Sequence, residues 1–213
     1  MCQLWMQRQD YTDPVRWIIV DDGQAAAEIK PVEAWQIEVI RPKPCWTPGA
    51  NTQARNLRAG LERITNDDPL LIIEDDDHYA PGWISRAVAE LEHHELVGQL
   101  LCRKYNVSNL RARELLDHDK ASLCCTAMIG DAIRAFREVA THAAVLLDCD
   151  LWRCFRGHLF DGAYVTSIKC MPGRGGIDSG HRPRFGKIAD PTGQLLRQWI
   201  GADAEYYRSW MRS

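Results

Sequence analysis

Four consecutive acidic residues, Glu74, Asp75, Asp76 and Asp77, directly follow the apolar run Pro69–Ile73. The run has the length and composition of a buried strand. Four adjacent carboxylates repel one another, so the cluster requires a cation or raised pKa values. Because ligands of an open α/β sheet collect outside the carboxyl ends of its strands, the segment predicts a cation-binding site. If strand alternation continued, Asp75 and Asp77 would point one way, and Glu74 and Asp76 the other. A solvated acidic turn is the alternative interpretation.

The first half of the chain alternates between short apolar runs and helical patterns. Strands are predicted at 17–20, 36–40 and 69–73, and helices at 51–64 and 81–91. This alternation indicates an α/β fold with a mostly parallel sheet flanked by helices.

The second half of the chain has a more mixed pattern. Two strands are predicted near 98–106 and 122–129, a helix near 130–140, and a further strand at 163–169. Residues 191–212 have the apolar spacing of an amphipathic helix.

Charge is distributed unevenly along a chain whose formal net charge is −3. Residues 1–97 hold 9 Lys and Arg against 17 Asp and Glu, whereas residues 98–213 hold 17 against 12. A basic second half would attract a polyanion. The alternative is that the acids gather at a metal site and the rest of the distribution is chance.

The cysteines and the N-terminal residues indicate a cytoplasmic protein. The first residues lack the pattern of a signal peptide, and the eight cysteines form no CxxC motif, so we expect reduced thiols. No apolar run is long enough to span a bilayer, so no stable membrane anchor is expected. No protein partner is indicated by the sequence.

Three segments match the motifs of one enzyme class in order and spacing. Pro69–Trp83 contains Glu-Asp-Asp with Ala-Pro four residues later, Val20–Gly23 reads Val-Asp-Asp-Gly, and Gly49–Leu57 reads Gly-Ala-Asn-Thr-Gln-Ala-Arg-Asn-Leu. Together they resemble the DxD region, the V-D-D-G-S turn and the intervening helix of GT-A-fold glycosyltransferases. The chain is similar to inverting, family-2-like members, including small phage-encoded enzymes that modify DNA.

The resemblance implies a Rossmann-like GT-A domain. Residues 1–97 would form its nucleotide-sugar and metal-binding half, 98–190 its acceptor half, and 191–213 a C-terminal helix, all within one domain. GT-A members usually begin with an apolar strand that lines the base pocket. The first residues here resemble the helix that follows that strand, so we expect a domain without the usual first strand, with either a late chain start or a differently built donor site as the cause.

The resemblance also implies a nucleotide-sugar donor, with a UDP-sugar as the leading candidate, and a bound Mn²⁺ or Mg²⁺ ion. A hard cation held by oxygen ligands would neutralise the diphosphate as its bond to the sugar breaks. Asp76 would coordinate this ion. The implied donor-binding residues lie in the three matched motifs: Asp21 or Asp22 for the base or ribose, Arg55 facing the donor pocket, and Glu74 and Asp75 beside the metal.

A fourth segment supplies a candidate general base. Leu147–Arg153 resembles the E-D-x-D-L-x-x-R segment of the family, with Leu147 in place of the glutamate. In inverting members the first aspartate of this segment takes the proton of the acceptor hydroxyl, which implies Asp148 as the base. The alternative is that Asp148 or Asp150 only caps the helix that runs to Phe155.

Residues 171–186 are rich in glycine and arginine and predict a loop. Glycines permit close approach of the backbone to phosphate oxygens, and arginines bind phosphate through paired hydrogen bonds. The segment resembles a late loop of small phage-encoded glycosyltransferases that closes over the donor. The resemblance implies that Arg174 binds the donor and His181 the metal; a plain surface loop is the alternative.

The predicted acceptor is DNA that carries a hydroxymethylated pyrimidine, because the second half is basic and the loop resembles those of phage enzymes. Such a base must leave the stack to reach Asp148. A polysaccharide or a lipid-linked acceptor is the main competitor, and a non-catalytic nucleotide-sugar-binding domain is a second alternative. The candidate acceptor-binding residues are Trp152, Arg153, Arg156, Arg182 and Arg184.

Overall fold

The computed structural model describes residues 2–143, 145–171 and 185–211. The helices in these ranges are α1 (Cys2–Gln7), α2 (Gln53–Leu61), α3 (Trp83–Leu91), α4 (Asp131–His142), α5 (Leu147–Cys154), α6 (Gln194–Ile200) and α7 (Ala204–Tyr207). Short 3₁₀ turns lie at Leu123–Cys125, Gly201–Asp203 and Arg208–Trp210.

The strands are short, and most connect to a helix or a turn within a few residues. They are β1 (Val15–Val20), β2 (Trp35–Ile40), β3 (Leu70–Leu71), β4 (His78–Tyr79), β5 (Leu96–Gln99), β6 (Leu101–Asn106), β7 (Arg111–Leu116), β8 (Thr126–Met128), β9 (His158–Phe160), β10 (Val165–Lys169) and β11 (Ile188–Ala189).

These strands form three sheets within the described ranges. One contains only β1 and β2, paired in parallel with Trp17 opposite Ile37. The second has the order β3-β8-β5-β9, and the third has the order β11-β7-β6-β10-β4.

The α/β class agrees with the sequence, but the mostly parallel sheet is wrong. Parallel pairing joins β1 to β2, β5 to β9 and β6 to β10, whereas the other strand pairs of the described chain are antiparallel. One cause is the short connection between β6 and β7, which spans residues 107–110. Parallel neighbours need a crossover of about a dozen residues, so a connection of this length joins antiparallel strands.

Other differences arise where elements are short or interrupted. Within 69–73 only Leu70–Leu71 pairs as a strand. The helical pattern at 191–212 is divided, because Gly201 takes a φ of 62° and ends α6. The sequence did not predict β4, β9 and β11, which are too short to show alternation, or β7, whose sequence RARELL is largely charged.

The first of two hydrophobic clusters packs the two ends of the described chain together. It contains Trp5 of α1, Trp83 of α3, Tyr105 of β6 and Tyr207 of α7. Trp5 is fully buried, and its Nε1 donates a hydrogen bond to the Tyr207 hydroxyl at 3.1 Å. The indole of α1 therefore buries its apolar surface and also satisfies its one donor.

The second cluster joins α2, α4 and α5 through Leu61, Phe136, Leu147 and Leu151. Leu147 and Leu151 are one helical turn apart and both are buried, which fixes the face that α5 turns inward. The starts of α2 and α5 are thereby held close to the sheet edges where the cleft described below opens. No helix in the described part of the chain is both long enough and apolar enough to cross a bilayer.

Candidate active-site cleft

A cleft of about 2140 Å³ opens where the carboxyl end of β1, the start of α2, the acidic run and the start of α5 meet. Its volume exceeds the roughly 300–1000 Å³ of ordinary small-molecule pockets. Six of the residues that the sequence singles out line it, namely Asp21, Asp22, Glu74, Asp75, Asp76 and Asp148.

Asp22 follows β1 and is fixed by two side chains of α2. Its Oδ2 accepts hydrogen bonds from Arg55 at 3.0 Å and from Asn56 Nδ2 at 2.7 Å. Arg55 also donates to the carbonyl of Pro44, which ties α2 to the segment after β2. Arg55 is not among the residues that line the cleft. It lies behind Asp22 and holds that carboxylate in place through a charge-assisted hydrogen bond.

Asp21 stabilises the turn that follows β1. It accepts the N–H of Gly23 and the N–H of Ala27 at 3.0 Å each, and Arg41 Nε lies 3.0 Å from its Oδ2. Burial opposes ionisation of this carboxyl, but the two N–H groups and the guanidinium outweigh it and lower the pKa of Asp21. Asp21 is therefore a fixed negative charge on the cleft wall.

The acidic run forms a turn, so its side chains do not alternate as those of a strand would. Asp75 is exposed, Asp76 is partly buried and Asp77 is fully buried. The expectation that Asp75 and Asp77 share one side is wrong, because strand pairing ends at Leu71 and the backbone turns through 75–77. Glu74, Asp75 and Asp76 line the cleft, and Asp77 lies behind them.

Asp77 is held by the backbone and side chains of β10. It accepts the Ile168 N–H at 2.8 Å, and the Ser167 hydroxyl donates to it at 3.1 Å. Burial raises the pKa of Asp77 to about 7, although the nearby Lys169 ammonium acts in the opposite direction. This carboxyl therefore anchors the acidic turn to the sheet.

Lys169 is a buried cation that lies beside the acidic run. Its Nζ lies 3.6 Å from Glu74 Oε2 and 3.8 Å from Asp77 Oδ1. Burial alone would lower the pKa of Lys169, but Asp77, Glu74 and Asp76 raise it well above the usual value. The ammonium thus offsets part of the repulsion that the four carboxylates impose on one another.

One group of possible metal ligands in the described chain does not fit a divalent ion well. Glu74, Asp77 and Cys124 bring their ligand atoms within 4.8 Å of one another. Lys169 already contacts both carboxylates. The contact with Cys125, together with burial, raises the pKa of Cys124 well above its usual value, so the thiolate form that binds metals is disfavoured. Lys169 therefore supplies the positive charge at this group in place of a metal ion.

The cleft-facing side of the run fits a hard divalent ion better. Four carboxylates lie in the run and one buried ammonium contacts it, so negative charge remains in excess at the cleft wall. Asp75 and Asp76 offer carboxylate oxygens there, the ligands that Mg²⁺ and Mn²⁺ prefer. These two residues are candidate ligands for such an ion.

Asp148 lies in the first turn of α5 and faces the cleft. Its Oδ2 accepts a hydrogen bond from Lys120 Nζ at 2.5 Å. Burial would lower the pKa of Lys120, but Asp148 outweighs this effect and raises it. The pair therefore consists of an ammonium and a carboxylate, with the carboxylate on the cleft wall.

The alternative base, Asp150, faces a different way. It accepts a hydrogen bond from Arg153 at 2.8 Å on the helix surface and does not line the cleft. Neither aspartate caps α5, whose N-cap is Leu146. Leu147, which stands where the family motif has glutamate, is buried in the second hydrophobic cluster.

The candidate acceptor residues within the described chain do not line the cleft. Trp152 packs between Gly98 and Gly157, where an added Cβ would lie 2.8 Å and 2.5 Å from its ring. Arg153 on α5 and Arg156 just after its end are exposed and do not line the cleft. Trp152 is therefore a packing residue, and the two arginines are surface residues. Four further predicted residues, Arg174, His181, Arg182 and Arg184, lie outside the described residues.

The sequence interpretation missed five cations that line the cleft: Arg16, Lys104, Arg113, Lys120 and Lys169. Lys104 and Arg113 stand opposite each other across β6 and β7. The pair places two positive charges side by side on the cleft wall. The only signal in the sequence was a charged residue at the end of the otherwise uncharged strand VTSIK, which holds Lys169.

The comparison with protein families agrees with this geometry. The family model for glycosyl transferase family 2 matches residues 5–152, a span that includes β1, α2, the acidic run and Asp148. No curated protein matches the chain.

Proposed function

The chain belongs to glycosyl transferase family 2, and we propose that it is an inverting, metal-dependent enzyme. It transfers a sugar from a nucleotide-sugar to a hydroxyl group, and a UDP-sugar is the leading candidate for the donor. The observation that carries the proposal is that Asp148 and the acidic run line one cleft. Inversion requires a base on one side of the reacting carbon and a stabilised leaving group on the other.

The donor binds to the wall formed by the carboxyl end of β1, the start of α2 and the acidic run, hereafter the donor wall. Asp21 and Asp22 are rigid hydrogen-bond acceptors for the ribose or base. Asp76, with Asp75 beside it, holds Mn²⁺ or Mg²⁺, which when bound neutralises the diphosphate. Lys169 lines the cleft beside Glu74, and its positive charge reduces the repulsion that the acidic run exerts on the diphosphate.

The acceptor meets the opposite wall, formed by β6, β7, Lys120 and the start of α5, hereafter the acceptor wall. Its hydroxyl oxygen bonds to the anomeric carbon while the bond from that carbon to the diphosphate oxygen breaks. The electron pair leaves with the nucleoside diphosphate, and the hydroxyl proton passes to Asp148. Lys120 donates to Oδ2 of Asp148, so Oδ1 is the oxygen assigned to the proton.

The proposed acceptor is a 5-hydroxymethylpyrimidine in DNA, as in phage genomes. Lys104 and Arg113 support this assignment, because both line the cleft and cations there attract the phosphates of DNA. The excess of basic residues in 98–213, 17 against 12, also favours a polyanion. A cytoplasmic setting accompanies this proposal, and the eight cysteines, all within the described ranges, form no disulfide bond.

A glycan or a lipid-linked acceptor is the second candidate. Val145 and Leu146 line the cleft next to Asp148, and they are 45% and 63% exposed, respectively. Apolar side chains at the reaction site favour an acceptor that presents an apolar face, such as a sugar ring or a lipid-linked intermediate. Both candidates use the same donor wall and the same base.

Incubation with Mn²⁺ and a panel of nucleotide-sugars tests the proposal. The acceptors are DNA with 5-hydroxymethylcytosine, the same DNA with cytosine, and a lipid-linked or soluble oligosaccharide, with products read by mass spectrometry. Sugar on the hydroxymethylated DNA alone supports the DNA acceptor. Transfer to the oligosaccharide alone replaces that acceptor with the second candidate. Donor binding without transfer or donor hydrolysis would indicate a non-catalytic nucleotide-sugar-binding domain.

A further inference from the structure

Glu90, His94 and His158 form a cluster that is separate from the cleft. Glu90 lies near the end of α3, His94 in the turn that follows, and His158 at the start of β9. None of the three lines the cleft. Because β9 pairs in parallel with β5 and places His158 opposite Val97, the fold brings His158 to the turn between α3 and β5.

The possible ligand atoms of the three side chains lie close to one another. A carboxylate oxygen and one ring nitrogen from each histidine all lie within 4.8 Å of one another. His158 Nε2 is 3.6 Å from Glu90 Oε2, and the two imidazole rings stack with centroids 4.3 Å apart. His94 is exposed and Glu90 and His158 are partly buried, so the cluster is open to solvent on the His94 side.

We propose that Glu90, His94 and His158 bind a zinc-like transition-metal ion. Two imidazole nitrogens and one carboxylate oxygen are the ligand set found in open zinc sites, which leave the remaining position to water. Imidazole selects Zn²⁺, Ni²⁺ and Cu²⁺ over the Mg²⁺ and Mn²⁺ that carboxylates prefer. This site therefore differs in chemistry from the carboxylates of the cleft.

The surroundings of Glu90 are compatible with a bound ion. Arg86 NH2 contacts Glu90 Oε1 at 2.5 Å, so it orients the carboxylate and leaves Oε2 directed toward His158. The lone pair of each imidazole nitrogen lies in the plane of its ring. The stacked rings are inclined by only 16°, so the exposed His94 ring must turn to direct its nitrogen at the same ion as His158. A bound ion would then join the end of α3 to β9.

Titration of the full chain with Co²⁺, followed by Zn²⁺ competition, tests the site. Co²⁺ gives visible bands whose position reports its ligands, and a thiolate ligand adds a charge-transfer band that distinguishes cysteine sites. The variants are His94→Ala, His158→Ala and Glu90→Gln, with His93→Ala as the matched control, since His93 is also exposed and lies outside the cluster. Asp76→Ala separates this site from the cleft.

The expected result is one Zn²⁺ bound without a thiolate band. Affinity should fall about tenfold or more in each cluster variant and stay unchanged in His93→Ala and Asp76→Ala. Thermal unfolding should show that Zn²⁺ raises the Tm of the wild type but not of His94→Ala. Equal Zn²⁺ affinity in His94→Ala and wild type, a thiolate band, or loss of binding in His93→Ala would each overturn the proposal.

Discussion

The donor wall and the acceptor wall of the cleft hold their carboxylates to different degrees. On the donor wall, Asp21 is held by two N–H groups and Arg41, and Asp22 by Arg55 and Asn56. On the acceptor wall, Asp148 is held by Lys120, and exposed apolar side chains lie beside it. Five contacts hold the two aspartates of the donor wall, whereas one described hydrogen bond holds Asp148 on the acceptor wall.

The difference follows from what each wall must recognise. A diphosphate and a ribose present the same groups in every nucleotide-sugar, so fixed charges and dipoles can be arranged for them in advance. The acceptor requires a base of suitable position and a surface that matches its shape. We therefore expect substitutions on the donor wall to lower transfer to every acceptor. Substitutions on the acceptor wall should lower transfer to some acceptors more than to others.

The largest expected effect is the loss of transfer in Asp76→Ala. Removal of this carboxylate takes away the main proposed metal ligand, and transfer should fall about 10³-fold or more. The fold should remain, because one fewer negative charge in the acidic run reduces repulsion. Calorimetry measures the Mn²⁺ affinity, and a turnover assay measures sugar transfer. Asp67→Ala, an exposed acid outside the cleft lining, is the control, and unchanged Mn²⁺ affinity in Asp76→Ala would refute the assignment.

Lys169→Met tests whether the donor wall depends on its buried cation. Removal of one partner from a buried ion pair leaves charge uncompensated, and the free energy of unfolding should fall by about 3–5 kcal/mol. The double variant Lys169→Met with Asp77→Asn should lose less than the sum of the single variants, because the two side chains are coupled. Urea unfolding measures all three proteins, and Lys187→Met serves as an exposed control. Strict additivity would contradict the coupling.

Arg55→Ala should weaken donor binding by a smaller amount. Arg55 positions Asp22 and does not line the cleft, so its loss should raise the KM for the donor at a cost of about 1–2 kcal/mol. The effect should be the same with every acceptor. Arg58 is exposed on the same helix, so the Arg58→Ala variant should behave as wild type. A change in acceptor preference in Arg55→Ala would show that the two walls are not separable in this way.

The smallest expected effect concerns the cations of the acceptor wall. If DNA is the acceptor, Arg113→Ala should weaken binding to modified and unmodified DNA alike and reduce the slope of log K against log salt by about 1. Arg153→Ala should leave the slope unchanged, because Arg153 is exposed outside the cleft. Fluorescence anisotropy at several salt concentrations measures both. Equal slopes in Arg113→Ala and wild type would favour the glycan acceptor.

The donor wall could be predicted from the sequence because its groups lie in short contiguous motifs. The strand and the turn that carry Asp21 and Asp22 are adjacent in the chain, as are the run 69–73 and the acids that follow it. Such motifs bring functional side chains together through local geometry alone. Asp148 was predictable for the same reason, since it lies within one short motif.

The other parts of the site depend on contacts between distant segments. Lys169 meets Glu74 only because β10 lies beside β4 in the third sheet. Trp152 was predicted to contact the acceptor, but its ring fills the space that Gly98 leaves on a distant strand. No local pattern records either contact, so the buried cation was missed and the tryptophan was assigned the wrong role.

A comparison of Asp148→Asn with Asp150→Asn tests the central claim most directly. Both substitutions replace one oxygen of a carboxylate on the same helix, but Asp148 lines the cleft and Asp150 pairs with Arg153 outside it. With saturating donor and Mn²⁺, Asp148→Asn should bind both normally and lose about 10²–10⁴-fold in kcat, because an amide cannot accept the proton. Asp150→Asn should turn over as the wild type does. An active Asp148→Asn enzyme together with an inactive Asp150→Asn enzyme would contradict the assignment of the base.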